Sequence, residues 1–442
     1  MSPMECHPLL DHLARPALET WEGYRAAGGG KAFERAVRHS TPEAVRADIQ
    51  ASGLKGRGGS AFPTGEKMEA VARASGFPRY VVMNGEEGGP GGFKDRFLLE
   101  GSPYLILEGL LLAGYASGAT QGLCVVRRSA PEAQRRLRQA VEGLRAAGWL
   151  GANILGTGFT FEVSVEIGAG VFCCGEETAL LESVQGRRGY PRPRPPYPSE
   201  KGFRDCPTLV VNVETLANLP LIIDRGPEWF RSIGRADDPG TRLWGVSGHV
   251  RKPGVYEAPI GTPLAEVLAQ AGGPREGERL AAVLPGGAVS AFLPAEALET
   301  PLAADTLAAH GGCLGSGAII AFSDRCCFVQ VAQRLAAFFE QESCGKCTPC
   351  REGTKKLREV LESVSSARRK NGGEPRRGVG REVPPPRPGE LLPLLIETLA
   401  RSSACGLGRA AGTAIGSALR LFPEEFAAHF QRHECPKRIC WS

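Results

Sequence analysis

The sequence predicts a multidomain α/β + α protein, and three observations carry that prediction. Between residues 78 and 220 short apolar strands alternate with helical stretches. From Arg242 onward the pattern changes to closely spaced short strands, and from Phe328 helical segments bracket a loop of cysteines. At 442 residues the chain has material for about three domains. The divisions read from it are an N-terminal helical segment at 1–54, an α/β domain at 55–240, a small α+β module at 241–325 and a helical bundle at 326–442.

Residues 8–53 read as helices, beginning with Pro8-Leu9-Leu10-Asp11-His12-Leu13 and broken at Gly28-Gly29-Gly30. In Thr41-Pro42-Glu43-Ala44-Val45, Thr41 is placed to cap a helix, with Pro42 at its first position and Gly53 as its stop. The next stretch, GRGGSAFPTGEK from Gly56 to Lys67, is a loop whose bare backbone N–H groups suit a phosphate, although it lacks the Gly-Lys-Ser/Thr of a P-loop. Tyr80–Asn84 is a buried strand running into Gly85-Glu86-Glu87-Gly88-Gly89. Acids after a strand's carboxyl end stand where open α/β sheets bind ligands. Strands follow at 122–126 and 161–166, separated by an amphipathic helix at 132–147. Cys173-Cys174-Gly175-Glu176-Glu177 opens a further helix with two acids in its first turn. The adjacent Cys173 and Cys174 are poor co-ligands and are expected in the core. An Arg/Pro-rich loop spans 187–203, and Val210-Val211-Asn212-Val213 is read as the start of another helix.

The cysteine loop is Glu342-Ser343-Cys344-Gly345-Lys346-Cys347-Thr348-Pro349-Cys350. Broken by Gly and Thr-Pro, its three thiols suit a loop curled around a compact object rather than a helix face. Zinc usually takes cysteines in separated pairs, whereas C-x-x-C-x-x-C plus one distant cysteine suits a cubic iron–sulfur cluster. The distant candidate is Cys405, followed by Gly406-Leu407-Gly408, where glycines permit close backbone approach. The spacing favours a [4Fe–4S] cluster, with zinc as the alternative.

Composition narrows the function classes. Fourteen cysteines in a long chain whose start lacks a basic-then-apolar segment fit a reducing compartment and metal binding. The most apolar run, Tyr104–Tyr115, is too short to span a bilayer, so no direct membrane insertion is expected. The net charge of +5 owes +4 to residues 367–390, a Pro/Gly/Arg-rich segment expected to be a disordered insertion. No aromatic residues interleave its arginines, which argues against nucleic acid as a partner. The histidines His39, His249, His310 and His429 read as solvated or structural.

Four motifs in one order now carry a resemblance. GRGGSAFPTGEK, NGEEGGPGGFKDR, GAGVFCCGEETALLES with VVNVET, and ESCGKCTPCREG with a late Cys-Gly-Leu-Gly resemble the flavin- and NADH-binding F subunits of respiratory NADH:quinone oxidoreductases (complex I). Diaphorase subunits of hydrogenases and formate dehydrogenases share that fold. The likeness spans nearly the whole chain. It implies a Rossmann-like FMN/NADH-binding α/β domain, a β-grasp (soluble-ligand-binding) module and a helical domain holding the cluster. It implies FMN, NAD(H) and a [4Fe–4S] cluster as cofactors. A thioredoxin-like [2Fe–2S] subunit and a large iron–sulfur subunit are the implied partners, in a cytoplasmic arm peripheral to the inner membrane through the complex.

By position, the resemblance places Gly56, Arg57, Gly58, Gly59 and Lys67 around the FMN phosphate. It places Asn84, Glu86 and Glu87 at the flavin, and Gly175, Glu176 and Glu177 beside flavin and nicotinamide. Asn212 and Thr215 complete the flavin side, Phe62 stacks on the NADH adenine, and Arg194 and Tyr197 belong to the same pocket. Glu86 and Glu177 are the implied catalytic acids, and Cys344, Cys347, Cys350 and Cys405 the cluster ligands. The family's usual residues are replaced at Met68, Ala70, Gly89, Phe172, Arg194, Tyr197 and Val211, mostly on the dinucleotide side. Losing one stacking face costs on the order of 1 kcal/mol and losing a hydrogen-bonding acid about 1–3 kcal/mol, so weaker NADH binding is expected. The competing readings are a diaphorase of another oxidoreductase and a divergent subunit that has lost NADH. The chain length, with only Cys435 and Cys440 as C-terminal extras, favours the complex I type.

Overall fold

A computed structural model describes residues 6–365 and 387–440. Its centre is a four-stranded parallel sheet in the order β3-β2-β1-β4. The strands are β1 (Tyr80–Gly85), β2 (Gln121–Val126), β3 (Glu162–Ile167) and β4 (Thr208–Asn212). Three of them match the expected strands within one residue or so. The fourth is a correction: Val210-Val211-Asn212 closes β4, and the helix Val213–Arg225 begins only after it. Consecutive β-branched residues suit a buried parallel strand, and Asn212 then caps the helix by accepting from Glu214 N at 3.0 Å.

The chain lays β2 and β3 to one side of β1 and returns to the other side for β4. The order therefore reverses between β1 and β4, where Asn84 and Asn212 face each other in register. Such a reversal opens a crevice at the strands' carboxyl ends. Helix Pro103–Ser117, nearly all buried, covers the sheet together with Val213–Arg225. Gly109 makes their contact possible, because a Cβ there would stand 2.1 Å from Leu216 O. No single described helix is long and apolar enough to cross a membrane.

The N-terminal helices, among them Lys31–His39 and Pro42–Ala51, bury Phe33, Val45 and Ile49 in the same core as Val81 and Leu110. The expected cap holds: Thr41 Oγ1 accepts from Ala44 N at 3.2 Å, and Gly53 ends the helix with φ +69°.

A short ribbon, β5 (Gly234–Arg235) with β6 (Asp238–Pro239), leads to a second, mixed sheet. That sheet is built from β7 (Thr241–Gly248), β8 (Gly254–Pro259), β9 (Leu280–Leu284), β10 (Leu293–Pro294) and β11 (Ala318–Ser323), in the order β10-β9-β11-β7-β8. Glu257 on β8 fastens it to the N-terminus. Its buried carboxylate accepts from Leu9 N at 2.9 Å and Leu10 N at 2.8 Å and bonds Thr241 Oγ1. Burial pushes this carboxyl up to about 8. The folded protein therefore holds a proton that the unfolded chain releases in the ordinary carboxylate range, so the contribution to stability falls as pH rises from there toward 8. Glu257→Gln, which keeps an acceptor and gains a donor for Thr241, is expected to flatten that fall in melting temperatures measured across this window.

The last domain contains helices Phe328–Glu342, Thr348–Ser365, Pro388–Ser402, Gly406–Ala410 and Thr413–Leu421 around a shared core. Two expectations are corrected here. Cys350 does not lie in the loop: Thr348 and Pro349 start a helix, as proline at a helix's first turn favours, and Cys350 sits in that turn. Of the expected insertion at 367–390, residues 367–386 lie outside the described residues, while Pro388–Glu390 form the first turn of a helix.

Candidate functional site

The reversal between β1 and β4 gathers most of the site residues named from the sequence. Asn84 Nδ2 donates to Gly175 O at 2.9 Å, and its Oδ1 accepts from Glu86 N at 3.2 Å. This links the loop after β1 to the turn before helix Glu177–Val184. Glu86 is 5 % exposed, and its Oε1 accepts from Gly170 N at 3.2 Å. Its Oε2 is buried without a hydrogen-bond partner. Burial pushes this carboxyl above the usual range, against the opposing pull of the Gly170 N–H and Arg127. Gly168 is required beneath it, since a Cβ there would meet Glu86 Oε1 at 1.6 Å.

The glycine loop closes on the other side of the crevice. Gly56 N donates to Phe62 O at 2.9 Å, Gly59 takes φ +126°, and Gly58 rests against Asn212, whose Cβ a side chain would meet at 3.0 Å. Arg57 N donates to Thr215 Oγ1 at 2.8 Å. The Arg57 guanidinium turns away from the loop and is spent on the fold. It is 1 % exposed and donates to Thr241 O, Lys55 O, Pro239 O and Asp238. Its neighbour Arg242 likewise donates to the carbonyls of Arg57 and Gly315. The Arg57 side chain is thus not directed into the loop, and the Arg57 N–H is taken by Thr215.

A second group stands at the mouth. Lys67 Nζ meets Glu177 Oε2 at 2.5 Å, and Arg194 bridges Glu177 Oε1 at 3.3 Å and Glu176 Oε1. Glu176 is also the cap of helix Glu177–Val184, accepting from Thr178 N at 3.0 Å and Ala179 N at 2.8 Å. Two carboxylates are thus held by two cations at a helix N-terminus. Phe62 and Tyr197 leave about half of their surface exposed. Glu87 is drawn elsewhere: its carboxylate accepts from Lys94 N, Asp95 N and Arg96 N at 3.0–3.2 Å, capping helix Lys94–Gly101.

The sequence reading missed a buried charge network below the crevice. Lys94 Nζ lies 2.6 Å from Asp95 Oδ1 and 2.8 Å from Glu214 Oε2, all three buried. Asp95 Oδ2 accepts from Asn212 Nδ2 at 2.7 Å, and Glu214 Oε1 accepts from Leu243 N at 2.8 Å. The network positions Asn212 and ties the parallel sheet to β7. Its only trace in the sequence is a charged pair placed just after a glycine-rich loop.

The four motif cysteines converge on the core of the last domain. Cys350 is buried, and Cys344, Cys347 and Cys405 pack against the same cluster and act electrostatically on its thiol. Ser343 Oγ lies 3.3 Å from Cys350 Sγ. Gly408 lets helix Gly406–Ala410 approach, since its Cβ would stand 3.0 Å from Cys350 Cβ, whereas Gly406 faces open space. Among the described residues these four are not drawn together tightly enough to grip a single ion. Four thiols gathered at one core, three of them from a C-x-x-C-x-x-C run, suit a cubane.

The two centres share an interface. Phe172 N donates to Glu342 Oε2 at 2.6 Å, two residues before Cys344, and Lys346 Nζ donates to Pro191 O at 2.6 Å. Cys173 and Cys174 lie buried in the core that also holds Cys350, as the sequence led us to expect. The loop carrying Glu176 and Glu177 therefore abuts the loop carrying Cys344 and Cys347.

Comparison with known proteins agrees with this geometry. Residues 49–221 match the Nuo51 FMN-binding domain, 245–292 the SLBB domain, and 330–429 the NADH-ubiquinone oxidoreductase-F iron-sulfur binding region. The chain is 42 % identical over 414 residues to the NADH-quinone oxidoreductase F 2 subunit of Rhizobium meliloti, covering 93 % of this chain and 95 % of that one. It is 39 % identical over 419 residues to the NADH-quinone oxidoreductase F subunit of Aquifex aeolicus, covering 95 % and 93 %. Over 423 residues it is 37 % identical to the NADP-reducing hydrogenase subunit HndC of Solidesulfovibrio fructosivorans, covering 96 % and 83 %. Among solved structures, a chain of an NAD+-reducing [NiFe]-hydrogenase in the H2-reduced state aligns with TM-score 0.79 and 32 % identity, over 98 % of this chain and 68 % of that one.

Proposed function

The chain belongs to the family of NADH-quinone oxidoreductase F subunits, and from that premise we propose how its residues divide the work of electron entry. It is an NADH dehydrogenase subunit with an FMN-binding domain and a [4Fe–4S] centre. Bound flavin supplies the conversion of a two-electron hydride into single electrons that a cluster can accept. The observation that carries the reading is the shared interface, Phe172 N on Glu342 beside Cys344, which sets the flavin side against the cluster side.

The residues fit the groups they are assigned. The buried, unpaired Glu86 Oε2 at the end of β1 is the acceptor that a ligand N–H or O–H would satisfy. Asn84 and Asn212 are fixed on either side of the reversal, and the backbone N–H groups of Gly58 and Gly59 are the part of the glycine loop offered to the flavin phosphate. Glu177, clamped between Lys67 and Arg194, accepts hydrogen bonds at the nicotinamide, and Phe62 and Tyr197 provide exposed rings for the dinucleotide. Cys344, Cys347, Cys350 and Cys405 hold the cluster.

Two departures from the family pattern accommodate each other. A side chain at Gly89 would meet the Phe172 ring at 3.3 Å, and Phe172 packs on Phe338 with centroids 5.4 Å apart. The Phe172 ring, which stands where the family has tyrosine, lines the space beside Gly89, so the pocket keeps its wall while losing the acid's acceptor and the tyrosine's hydroxyl. NADH entry is retained in this reading with weakened binding.

The chain is a subunit of a multisubunit enzyme. In our reading its neighbours are a thioredoxin-like [2Fe–2S] subunit and a large iron–sulfur subunit, which hold it at the membrane surface. The module at 241–325 is a β-grasp unit in the same reading, supported by the mixed sheet in which only β7 and β11 run parallel.

The test is an anaerobic NADH titration of flavin- and cluster-loaded protein, followed by flavin absorbance. Bleaching by NADH is expected. Flavin that stays oxidised under excess NADH but bleaches with dithionite would contradict the reading. Gly168→Ala, which drives a Cβ into the Glu86 carboxylate, is expected to lower the flavin-to-protein ratio several-fold, as measured after purification.

A further inference from the structure

We propose that the chain carries a second metal centre, a structural zinc site formed by Cys327, His429, Cys435 and Cys440. Their ligand atoms all lie within 4.8 Å of one another, and none of the four is a ligand of the iron–sulfur cluster. Cys327, His429 and Cys435 are buried and Cys440 is partly so. The sequence hides the site, because 102 residues separate Cys327 from His429.

The geometry is that of a tetrahedral donor set. Cys440 Sγ lies 3.3 Å from Cys327 Sγ, and His429 Nε2 lies 3.5 Å from each of those sulfurs. Bonds of about 2.3 Å to sulfur and about 2.0 Å to nitrogen put tetrahedral neighbours roughly 3.5–3.8 Å apart. His429 is also oriented for ligation. Its Nδ1 lies 2.8 Å from Glu425 O, and a carbonyl only accepts, so Nδ1 carries the hydrogen. Nε2 then carries the lone pair and faces the sulfurs of Cys327 and Cys440, the arrangement that a backbone carbonyl imposes on metal-binding histidines. Around Cys435 the chain turns back with Arg438 N donating to Cys435 O at 2.9 Å, and the N–H groups of Lys437, Ile439 and Cys440 approach its sulfur.

Three thiolates and one imidazole form a closed set with no position left for substrate, which is the signature of a structural site. Cys327 precedes helix Phe328–Glu342, at the seam between the second sheet and the helical domain. The other three ligands come from the C-terminal tail, and Lys437 Nζ fastens it again by donating to Asp324 O at 2.5 Å. The ion would staple the tail to the start of that helix. The cluster loop follows the helix's far end, about 22 Å away for fifteen residues. Zinc has no redox chemistry and would stand outside the electron path.

The test uses the full chain purified anaerobically with its flavin and cluster. Metal analysis is expected to find one zinc ion per chain besides the cluster iron. Zinc K-edge absorption is expected to show three sulfur ligands at about 2.3 Å and one nitrogen at about 2.0 Å. Cys435→Ser with Cys440→Ser should lose the zinc and keep cluster iron, whereas Cys206→Ser should keep both. Zinc content well below one per chain, a shell dominated by oxygen, or zinc retained by the double variant would overturn the proposal. A Cys327–Cys440 disulfide found by mass spectrometry in the untreated protein would overturn it as well. The absorption measurement on the unaltered chain decides even if the double variant fails to fold.

Discussion

Cys405→Ala is expected to remove the iron–sulfur cluster and leave the flavin in place. In our assignment Cys405 is the ligand most distant in sequence, presented just before helix Gly406–Ala410, while the other three come from one loop and one helical turn. Loss of an outer partner of a metal ligand already costs roughly 10–100-fold in affinity, and loss of a direct ligand exceeds that. Purified protein should lose the low-temperature paramagnetic signal of the reduced cluster. Electron transfer beyond the flavin should fall by at least about 100-fold, by the same comparison. Flavin reduction by NADH, which we assign to Glu177, Lys67 and the crevice between β1 and β4, should be preserved. An intact cluster signal in this variant would show that the fourth ligand lies elsewhere.

Lys94→Met is the substitution expected to cost most stability. It strands Asp95 and Glu214, both buried, without the ammonium that lies 2.6 and 2.8 Å from them. Breaking one partner out of a buried ionic network costs about 3–5 kcal/mol, which lowers the melting temperature by roughly 3–5 °C in a protein of this size. Because Asp95 holds Asn212, flavin content should fall together with stability. Arg96→Met, on an exposed side chain two residues away, is the control and should stay within about 0.5 kcal/mol. Thermal unfolding followed by circular dichroism and by flavin release reads both effects.

What the sequence made legible was local. Thr41-Pro42 announced a helix start through capping chemistry, the strands after residue 78 through apolar runs, and the iron–sulfur region through three cysteines at a fixed spacing. Burial of Cys173 and Cys174 followed from their adjacency. The misreadings share a different cause. Arg57 looks free in a glycine loop because its partners, Asp238, Pro239 and Thr241, lie more than 180 residues away. Glu87 resembled a ligand-binding acid, yet its position seven to nine residues before Lys94–Arg96 lets it cap their helix. Val210–Asn212 was ambiguous because a short apolar run fits a buried strand as well as a helix start. Cys435 and Cys440 looked like leftovers since Cys327 and His429, which meet them, have no local pattern in common. Long-range pairing leaves no periodic trace, and the Arg57 partners and the Cys327–His429 meeting both depend on it.

The measurement that tests electron entry most directly is low-temperature paramagnetic resonance of NADH-reduced protein, in flavin-loaded and flavin-depleted forms that both retain the cluster. The account predicts a reduced-cluster signal in the flavin-loaded form and none in the depleted form, with dithionite producing the signal in both. A cluster reduced by NADH without flavin would contradict it. So would a cluster that stays oxidised under NADH in the loaded form while dithionite reduces it.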